Sequence, residues 1–195
     1  MRKISVSLVL ALVITSLLSM YKFDRNCQQL RDGVFRLHIL ANSDSSADQQ
    51  LKLTVRDAVI DLSESLFDGC ETMEDAVAAA KENLSLIQQT AERTVTECGA
   101  NYSVNVSVGQ ADFDTRHYEQ VTLPAGSYTA LRIVIGEGNG HNWWCVMFPQ
   151  MCLPAASQST ELERAVDKNS AEIAENYDKY EVKFKIVEIF EQLRG

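Results

Sequence analysis

The strongest constraint on the fold of this chain is an N-terminal run, Ile4–Met20, that contains no charged residue. Its length lies between the apolar core of a signal peptide and a full membrane span. Arg2 and Lys3 precede the run, as in export signals, and no Ala-x-Ala cleavage site follows it. Residues 1–26 are therefore predicted to be a signal peptide or a membrane anchor. Cleavage and retention both stay open, and a buried core helix is the alternative to either.

The remaining residues, 27–195, are long enough for one domain with its own core, and they contain no repeats or long linkers. The whole chain carries a formal net charge of −9. Because four basic residues and one acidic residue fall within 1–26, the rest holds 14 basic and 26 acidic residues, a net charge of −12. Such a domain is a poor partner for nucleic acid and for an anionic membrane surface.

Hydrophobic periodicity in the first half of the domain predicts a strand followed by two helices. Val34–Ala41 alternates, with one clearly apolar face. Ser46 and Gln49 form a capping-box pattern for a helix that ends at Asp68-Gly69. A second helix, Glu71–Glu97, has its apolar residues in a heptad-like seam. The seam indicates packing against the first helix or the sheet, and a free coiled coil is the alternative.

The second half of the chain is predicted to be mostly strands. Tyr102–Val108 alternates, and Trp143–Phe148 would return from Tyr128–Gly136 through a hairpin loop at Glu137–Asn142. A closing helix would carry an apolar stripe formed by Val182, Ile186, Ile189, Phe190 and Leu193. This order predicts an α+β fold: a single domain with a mostly antiparallel sheet covered by long helices, preceded by the apolar N-terminal segment.

Two of the five cysteines suggest a crosslink. Cys145 and Cys152 lie close in sequence on either side of Pro149, which favours a turn, so a disulfide between them is predicted for an exported protein. Free buried thiols and a zinc site that includes His141 are the alternatives, although the zinc site lacks an obvious fourth ligand.

A disulfide between Cys70 and Cys98 is disfavoured. If Glu71–Glu97 is one unbroken helix, its two ends lie about 40 Å apart, whereas the Cα atoms of a disulfide lie within about 7 Å. Cys27 is then left without a partner.

The motifs of common enzymes are incomplete in this chain. Gly136-Glu-Gly-Asn-Gly140 leads into a strand, whereas a phosphate-binding loop opens a helix. His141 and Cys145 lie across a turn into a strand and make a poor nucleophile–base pair. The three histidines are scattered through the sequence. We therefore expect no catalytic residue, no metal site, no cofactor and no enzymatic activity.

Two constellations remain as candidate binding surfaces. Adjacent tryptophans on a strand place one ring on each face, so one of Trp143 and Trp144, with Asn142 beside them, is expected to serve a partner. A core hairpin is the alternative. The second surface is polar and lies at the end of the first strand and on the first helix, where solvated charges are the alternative. Its members are Arg36, His38, Asn42, Asp44, Asp48, Arg56 and Asp57.

Four segments together resemble the stage II sporulation protein R family of endospore-forming bacteria. They are Arg36-Leu-His-Ile-Leu-Ala-Asn-Ser-Asp44, Asp48-Gln-Gln-Leu-Lys-Leu-Thr-Val-Arg-Asp57, Leu123-Pro-Ala-Gly-Ser-Tyr128 and Gly136–Cys152. The resemblance covers residues 34–153 and extends loosely to the N-terminal segment and the C-terminal helix. One departure is Pro149-Gln-Met-Cys152, where Pro-Pro-Leu-Cys is expected.

The resemblance implies a signalling protein. Members of this family are made in the forespore and exported into the space between the two membranes that separate it from the mother cell. There they trigger a membrane-embedded aspartic protease, the sigma-E factor processing peptidase, which removes the pro-sequence of the mother-cell sigma factor. The implied partner is this protease, and the implied membrane attachment is only through the N-terminal segment.

Two other classes stay open at this point. An exported envelope hydrolase would have its site around His38, Asp44 and Cys145, and it would turn over a substrate without the protease. A purely structural envelope protein would leave sigma-factor processing unchanged.

Overall fold

The structure is a computed structural model, and it describes residues 2–118, 120–149 and 158–194. The order of its elements confirms the predicted α+β class. The elements are α1 (Arg2–Asp32), β1 (Phe35–Leu40), α2 (Ser46–Leu66), α3 (Met73–Glu82), α4 (Leu84–Glu97), β2 (Val104–Phe113), β3 (Arg116–His117), β4 (Thr122–Leu123), β5 (Gly126–Ile135), β6 (Asn142–Phe148), α5 (Gln158–Ala165), α6 (Lys168–Glu175) and α7 (Tyr177–Arg194).

The main sheet has four strands in the order β2-β5-β1-β6, and β3 and β4 form a separate two-stranded ribbon. β1 runs parallel to β5 and antiparallel to β6, while β2 and β5 are antiparallel. The predicted hairpin between Tyr128–Gly136 and Trp143–Phe148 is therefore wrong, because β1 lies between these two strands. A strand that is buried on both faces, as β1 is, gains most from a central position in the sheet.

Helices α2, α3 and α4 pack on one face of the sheet, as the sequence predicts. Leu37 and Ile39 of β1 meet Val55 of α2 and Ile87 of α4 in one buried cluster. Ala80 and Ala91, from the predicted heptad-like seam, are buried in the same cluster. The seam therefore packs inside the domain.

The predicted single helix Glu71–Glu97 is interrupted at Asn83. The Asn83 side-chain Nδ2 donates to the Ala79 carbonyl at 2.9 Å, a local bond that competes with regular helical geometry. Although the helix is not continuous, the expectation for its flanking cysteines holds, since Cys70 and Cys98 are both free thiols.

The start of α2 also differs from the prediction by one residue. The N-cap is Ser45, whose hydroxyl accepts a hydrogen bond from the Asp48 backbone N–H at 3.1 Å. Ser46 is the first helical residue. The local chemistry is the expected one, in which a short hydroxyl side chain satisfies a free N–H group of the first turn.

The other face of the sheet is covered too, which the alternation of β1 did not predict. The end of α1, the β3–β4 ribbon, α5 and α6 supply this second layer. Its buried members are Leu30, Val34, Phe113, Val121, Leu123, Tyr128, Ala130, Val146, Leu162 and Ala174.

Helix α1 joins the apolar N-terminal run to the domain without a break. Residues 3–19 are exposed, and the helix is long and apolar enough to cross a membrane, which fits a signal or anchor segment. Farther along, Phe23 is only 2% exposed, stacks with Tyr180 and meets Phe184 edge-on. The helix thus continues past residue 27, where the sequence analysis placed the start of the domain.

The stripe predicted for the closing helix does not pack on the core. In α7 the buried side chains are Phe184 and Val187, which lie against α1 and α6. Both sides of α7 are apolar, so hydrophobic spacing alone could not decide which one is buried. The predicted stripe is the exposed side, with Val182, Ile186, Ile189, Phe190 and Leu193 exposed by 73%, 46%, 55%, 57% and 83%.

The position of Phe23 predicts where the chain can be shortened. A protein that begins at Tyr21 keeps the contacts of Phe23, whereas one that begins at Cys27 loses them and should be less stable by roughly 3 kcal/mol, the usual cost of deleting a buried phenylalanine side chain. Urea denaturation of the two proteins measures this difference. Equal unfolding midpoints would contradict the assignment of Phe23 to the core.

Candidate functional site

The loop between β5 and β6 crosses over the end of β1 and is held there by Asn42. The Glu137 backbone N–H donates to Asn42 Oδ1 at 3.1 Å, and the Asn139 N–H donates to the Asn42 carbonyl at 3.2 Å. Gly140 N–H also donates to the Ala41 carbonyl at 2.9 Å. We call this arrangement the Asn42 clasp. It is the connection that allows β1 to sit between β5 and β6.

The clasp explains the glycines that precede the tryptophans. Gly136 has φ +58°, and a Cβ on it would collide with the Asn42 side chain. A Cβ on Gly140 would collide with the Ser43 carbonyl, which is backbone and cannot move aside easily. The glycine pattern therefore serves close packing of two loops and not a hairpin turn.

Asp48 ties the clasp to α2. Its carboxylate accepts hydrogen bonds from Asn42 Nδ2 at 2.9 Å and from the Ser43 hydroxyl at 2.5 Å. These two bonds, the Ser43 bond first, hold the pKa of Asp48 below its usual range. Since the Asp48 side chain is only 6% exposed, its visible role is to join β1 to α2.

Asp44 and His141 form the exposed part of the clasp. The Asp44 carboxylate accepts from the His141 backbone N–H at 2.6 Å and pairs with the His141 ring at Nδ1. The side chains are 55% and 80% exposed, and the His141 contacts lower the pKa of Asp44. Lys52 Nζ donates to the His141 carbonyl at 2.8 Å. This pair is accessible to a partner.

Arg36 is fully buried, contrary to its expected place on a docking surface. Its Nη2 donates to the Tyr118 hydroxyl at 2.5 Å, and its Cζ lies 4.0 Å above the centre of the Phe113 ring and 4.8 Å from that of Tyr128. The reason is that aromatic rings of β2 and β5, together with Tyr118, lie over its guanidinium on the second face of β1. In this conformation Arg36 cannot contact a partner directly.

His38 lies beside Arg36 on the same face and is 8% exposed. Its ring stacks on Trp144 with the two centroids 3.7 Å apart. Burial lowers the pKa of His38 to about 4, so the imidazole is neutral at pH 7. A neutral ring stacked on indole indicates a packing role.

The two tryptophans lie on opposite faces, as the sequence predicts, and both are half-buried. Trp143 lies on the α2 side, where Arg56 Cζ is 4.4 Å from the indole centre, and Arg56 pairs with Asp57 at 2.6 Å. Trp144 lies on the other side, 4.6 Å from the Phe113 ring centre. Both belong to β6, an edge strand of the main sheet.

The predicted binding residues thus fall into separate groups. The clasp contains Asn42, Asp44 and Asp48. The covered face of β1 contains Arg36 and His38 with Trp144. The α2 side contains Arg56, Asp57 and Trp143, while Asn142 is exposed at the start of β6. A single continuous docking surface does not result.

A cavity of about 570 Å³ opens beside Trp144 and was not anticipated from the sequence. Phe113 and Trp144 line it with Gly126 and Ser127 of β5, and carboxylates surround it. No sequence signal could reveal it, since it forms where α7 meets the ends of β2 and β5. The acidic residues are Asp112, Asp114, Glu188 and Glu191.

The residues of the hydrolase alternative are not brought together. Cys145 is buried in the cluster on the α2 side, whereas His38 lies on the opposite face of the sheet. Asp44 is engaged by His141 in the clasp. Within the described ranges, no group of three His, Cys, Asp or Glu residues could hold a metal ion.

Cys145 takes part in a disulfide bond, while Cys27, Cys70 and Cys98 are free thiols. The partner predicted for Cys145 is Cys152, which lies outside the described residues. The specific pairing therefore stays a prediction.

The fold and the site define an α+β domain that is joined to an apolar N-terminal helix. Most of the polar residues predicted to bind a partner instead connect strands, loops and α2 within the domain. Residues 31–158 match the family model of stage II sporulation protein R. This chain therefore belongs to the stage II sporulation protein R family.

One relative is the stage II sporulation protein R of Bacillus subtilis (strain 168). It is 38% identical over 140 residues, which cover 72% of this chain and 62% of that protein. The match thus spans less than two thirds of the relative's length. No solved structure matches the chain.

The Asn42 clasp can be tested with one glycine substitution and a matched control. Gly140→Ala should lower the free energy of unfolding by about 2 kcal/mol, because the new Cβ collides with the Ser43 carbonyl. Gly109→Ala in β2 should cost nothing, since nothing lies within 4 Å of its added Cβ. Urea denaturation checks both variants, and equal stability of the two would argue against the clasp.

The buried state of His38 predicts a pH dependence of stability. The ordinary pKa of 6.5 applies to the unfolded chain, and burial lowers the folded pKa to about 4. The unfolded state therefore binds the proton first, so stability falls as the pH decreases from about 6.5 to about 4. In His38→Phe this part of the pH dependence should disappear in urea titrations at stepped pH. An unchanged slope would show that His38 is not held neutral.

Proposed function

We propose that this protein is an exported signal that activates a membrane-embedded aspartic protease of the mother cell, the sigma-E factor processing peptidase. Through this protease it triggers maturation of the mother-cell sigma factor. Family membership supports the sporulation role. The observation that carries the proposal is α1, whose exposed apolar half continues without a loop into a half that is packed in the core.

The continuity of α1 supports action at a membrane surface. An anchor that is joined by a flexible linker lets a domain diffuse, whereas an uninterrupted helix holds the domain close to the membrane. If the segment is cleaved, the cut must precede Phe23 for the core to stay complete. In either form, the domain is delivered to the space that the protease faces.

Activation requires that the protein bind the active state of the protease more tightly than the inactive state. The half-exposed tryptophans of the β6 edge supply the apolar part of the contact, as aromatic side chains often do. The exposed Asp44–His141 pair lies next to this edge in the chain and supplies orientation. Buried Arg36, His38 and Asp48 keep these exposed groups in place.

The charge of the domain favours a basic surface on the partner. Residues 27–195 carry a net charge of −12, and complementary charges accelerate association and select the partner. This role needs no catalytic centre, no cofactor and no nucleic acid. No arrangement in the described residues favours the envelope hydrolase, because His38 and Cys145 lie on opposite faces of the sheet.

Co-expression tests the proposal. The protein, the protease and the sigma-factor precursor are produced together in a non-sporulating host, and precursor cleavage is followed by immunoblot. Cleavage should require both the protein and residues 1–20, which carry it to the outer side of the membrane. Trp143→Ala and Trp144→Ala should each reduce cleavage at least tenfold, because they remove the apolar contact.

The matched control is Leu86→Ala, which removes an exposed apolar side chain from α4, away from β6. It should leave cleavage unchanged. Protein levels and export are measured in every strain, so that a folding defect is recognised. Cleavage that proceeds without the protein would refute activation, and normal cleavage with both tryptophan variants would refute the docking assignment alone.

A further inference from the structure

The outer side of α7 is apolar along most of its length. Since successive residues of an α-helix are about 100° apart, four apolar side chains fall within an arc of about 60°, opposite the buried Phe184 and Val187. We call these four side chains the outer stripe. They are exposed by 46% to 83%, and an exposed apolar patch on a domain surface indicates a contact with a protein or a membrane. The members of the outer stripe are Val182, Ile186, Ile189 and Leu193.

Helix α7 is fastened to α1 at the point where the uncharged run of α1 ends. Lys183 Nζ donates to the Ser19 hydroxyl at 3.0 Å. One turn farther along α1, Phe23 meets Phe184 edge-on, with the ring centres 5.2 Å apart. The uncharged run ends at Met20, and α1 is long and apolar enough to cross a membrane. With α1 in a bilayer, Lys183 therefore lies at the level of the membrane surface.

The order of the contacts between the two helices indicates which way the outer stripe faces. From Phe23 to Ser19, α1 runs toward its apolar half, and its contact on α7 moves from Phe184 to Lys183. Lys183 is about a quarter turn nearer to the outer stripe than Phe184 is. Moving toward the membrane thus means moving around α7 from its buried side to its outer stripe.

The charged side chains of α7 are arranged as in helices that lie in a membrane surface. Lys183 and Lys185 lie on either side of the outer stripe, where long side chains can keep their ammonium groups at the lipid phosphates while the stripe is buried. Glu188 pairs with Lys185 at 3.0 Å. Glu188 and Glu191 line the cavity beside Trp144, away from the outer stripe. The charges next to the stripe therefore suit a lipid headgroup region.

We infer that the outer stripe of α7 lies in the headgroup region of the lipid bilayer beside α1. This contact goes beyond the proposed function and applies to the form of the protein that retains α1. The net charge of −12 on residues 27–195 would keep a free domain away from anionic lipid, but α1 holds α7 at the surface, so the contact needs little affinity of its own. Two attachments fix the orientation of the domain, whereas α1 alone leaves it free to rotate about the helix axis.

The test places a fluorescent amino acid in the full-length protein and measures its quenching by lipid. A coumarin side chain replaces Ile186 of the outer stripe in one protein and Leu86, exposed on α4, in the matched control. Each protein is inserted into vesicles of phosphatidylcholine and phosphatidylglycerol, with or without lipid that carries a nitroxide near the top of its acyl chain. Only protein that floats with the vesicles is measured. The fluorophore at position 186 should lose about half of its emission, because an interfacial helix buries its apolar face to that depth, and the one at position 86 should lose none.

A further variant and the possible outcomes make the test decisive. Adding Ile189→Asp to the position-186 protein should remove most of the quenching while far-UV circular dichroism stays unchanged, since Ile189 is 55% exposed. Equal quenching at positions 186 and 86 would show unspecific adsorption and overturn the proposal. No quenching at position 186 would overturn it too, and a blue shift that grows with the protein-to-lipid ratio would then indicate a second copy of the chain. The vesicles contain no protease, so either failure leaves the proposed function standing.

Discussion

Strand β1 is buried on both faces, and this burial determines how the other strands and helices are arranged. Leu37 and Ile39 point into the layer formed by α2 and α4, while Arg36 and His38 point into the aromatic layer on the opposite face, against Phe113 and Trp144. A strand covered in this way needs a neighbour at each edge. The chain meets this requirement by passing from β5 to β6 over the end of β1, and the Asn42 clasp fixes that crossing.

This arrangement changes the role that we assign to the polar residues of the family segments Arg36–Asp44 and Asp48–Asp57. The sequence predicted that Arg36, His38 and Asp48 belong to a binding surface. In the structure they are buried, and they connect the sheet, the Tyr118 segment and α2. What remains accessible is the β6 edge with its two half-buried tryptophans, the Asp44–His141 pair and Asp57. We interpret the buried residues as supports that position this edge relative to α1.

The sequence predicted local structure well and non-local structure poorly. Alternation located β1 and assigned Trp143 and Trp144 to opposite faces, because side-chain direction depends only on the strand itself. It could not show that β1 separates β5 from β6, since strand pairing depends on distant residues. It also could not show what covers Arg36, or which apolar side of α7 is buried. The cavity beside Trp144 arises from elements distant in sequence and had no local signal.

Site-specific photo-crosslinking to the protease would show whether the β6 edge contacts the partner. A photoreactive residue is placed either at Asn142, exposed at the start of β6, or at Leu86, exposed on α4. In cells where the precursor is cleaved, we expect a crosslink to the protease from position 142 and none from position 86. A crosslink from position 86 alone, with cleavage intact, would contradict this expectation.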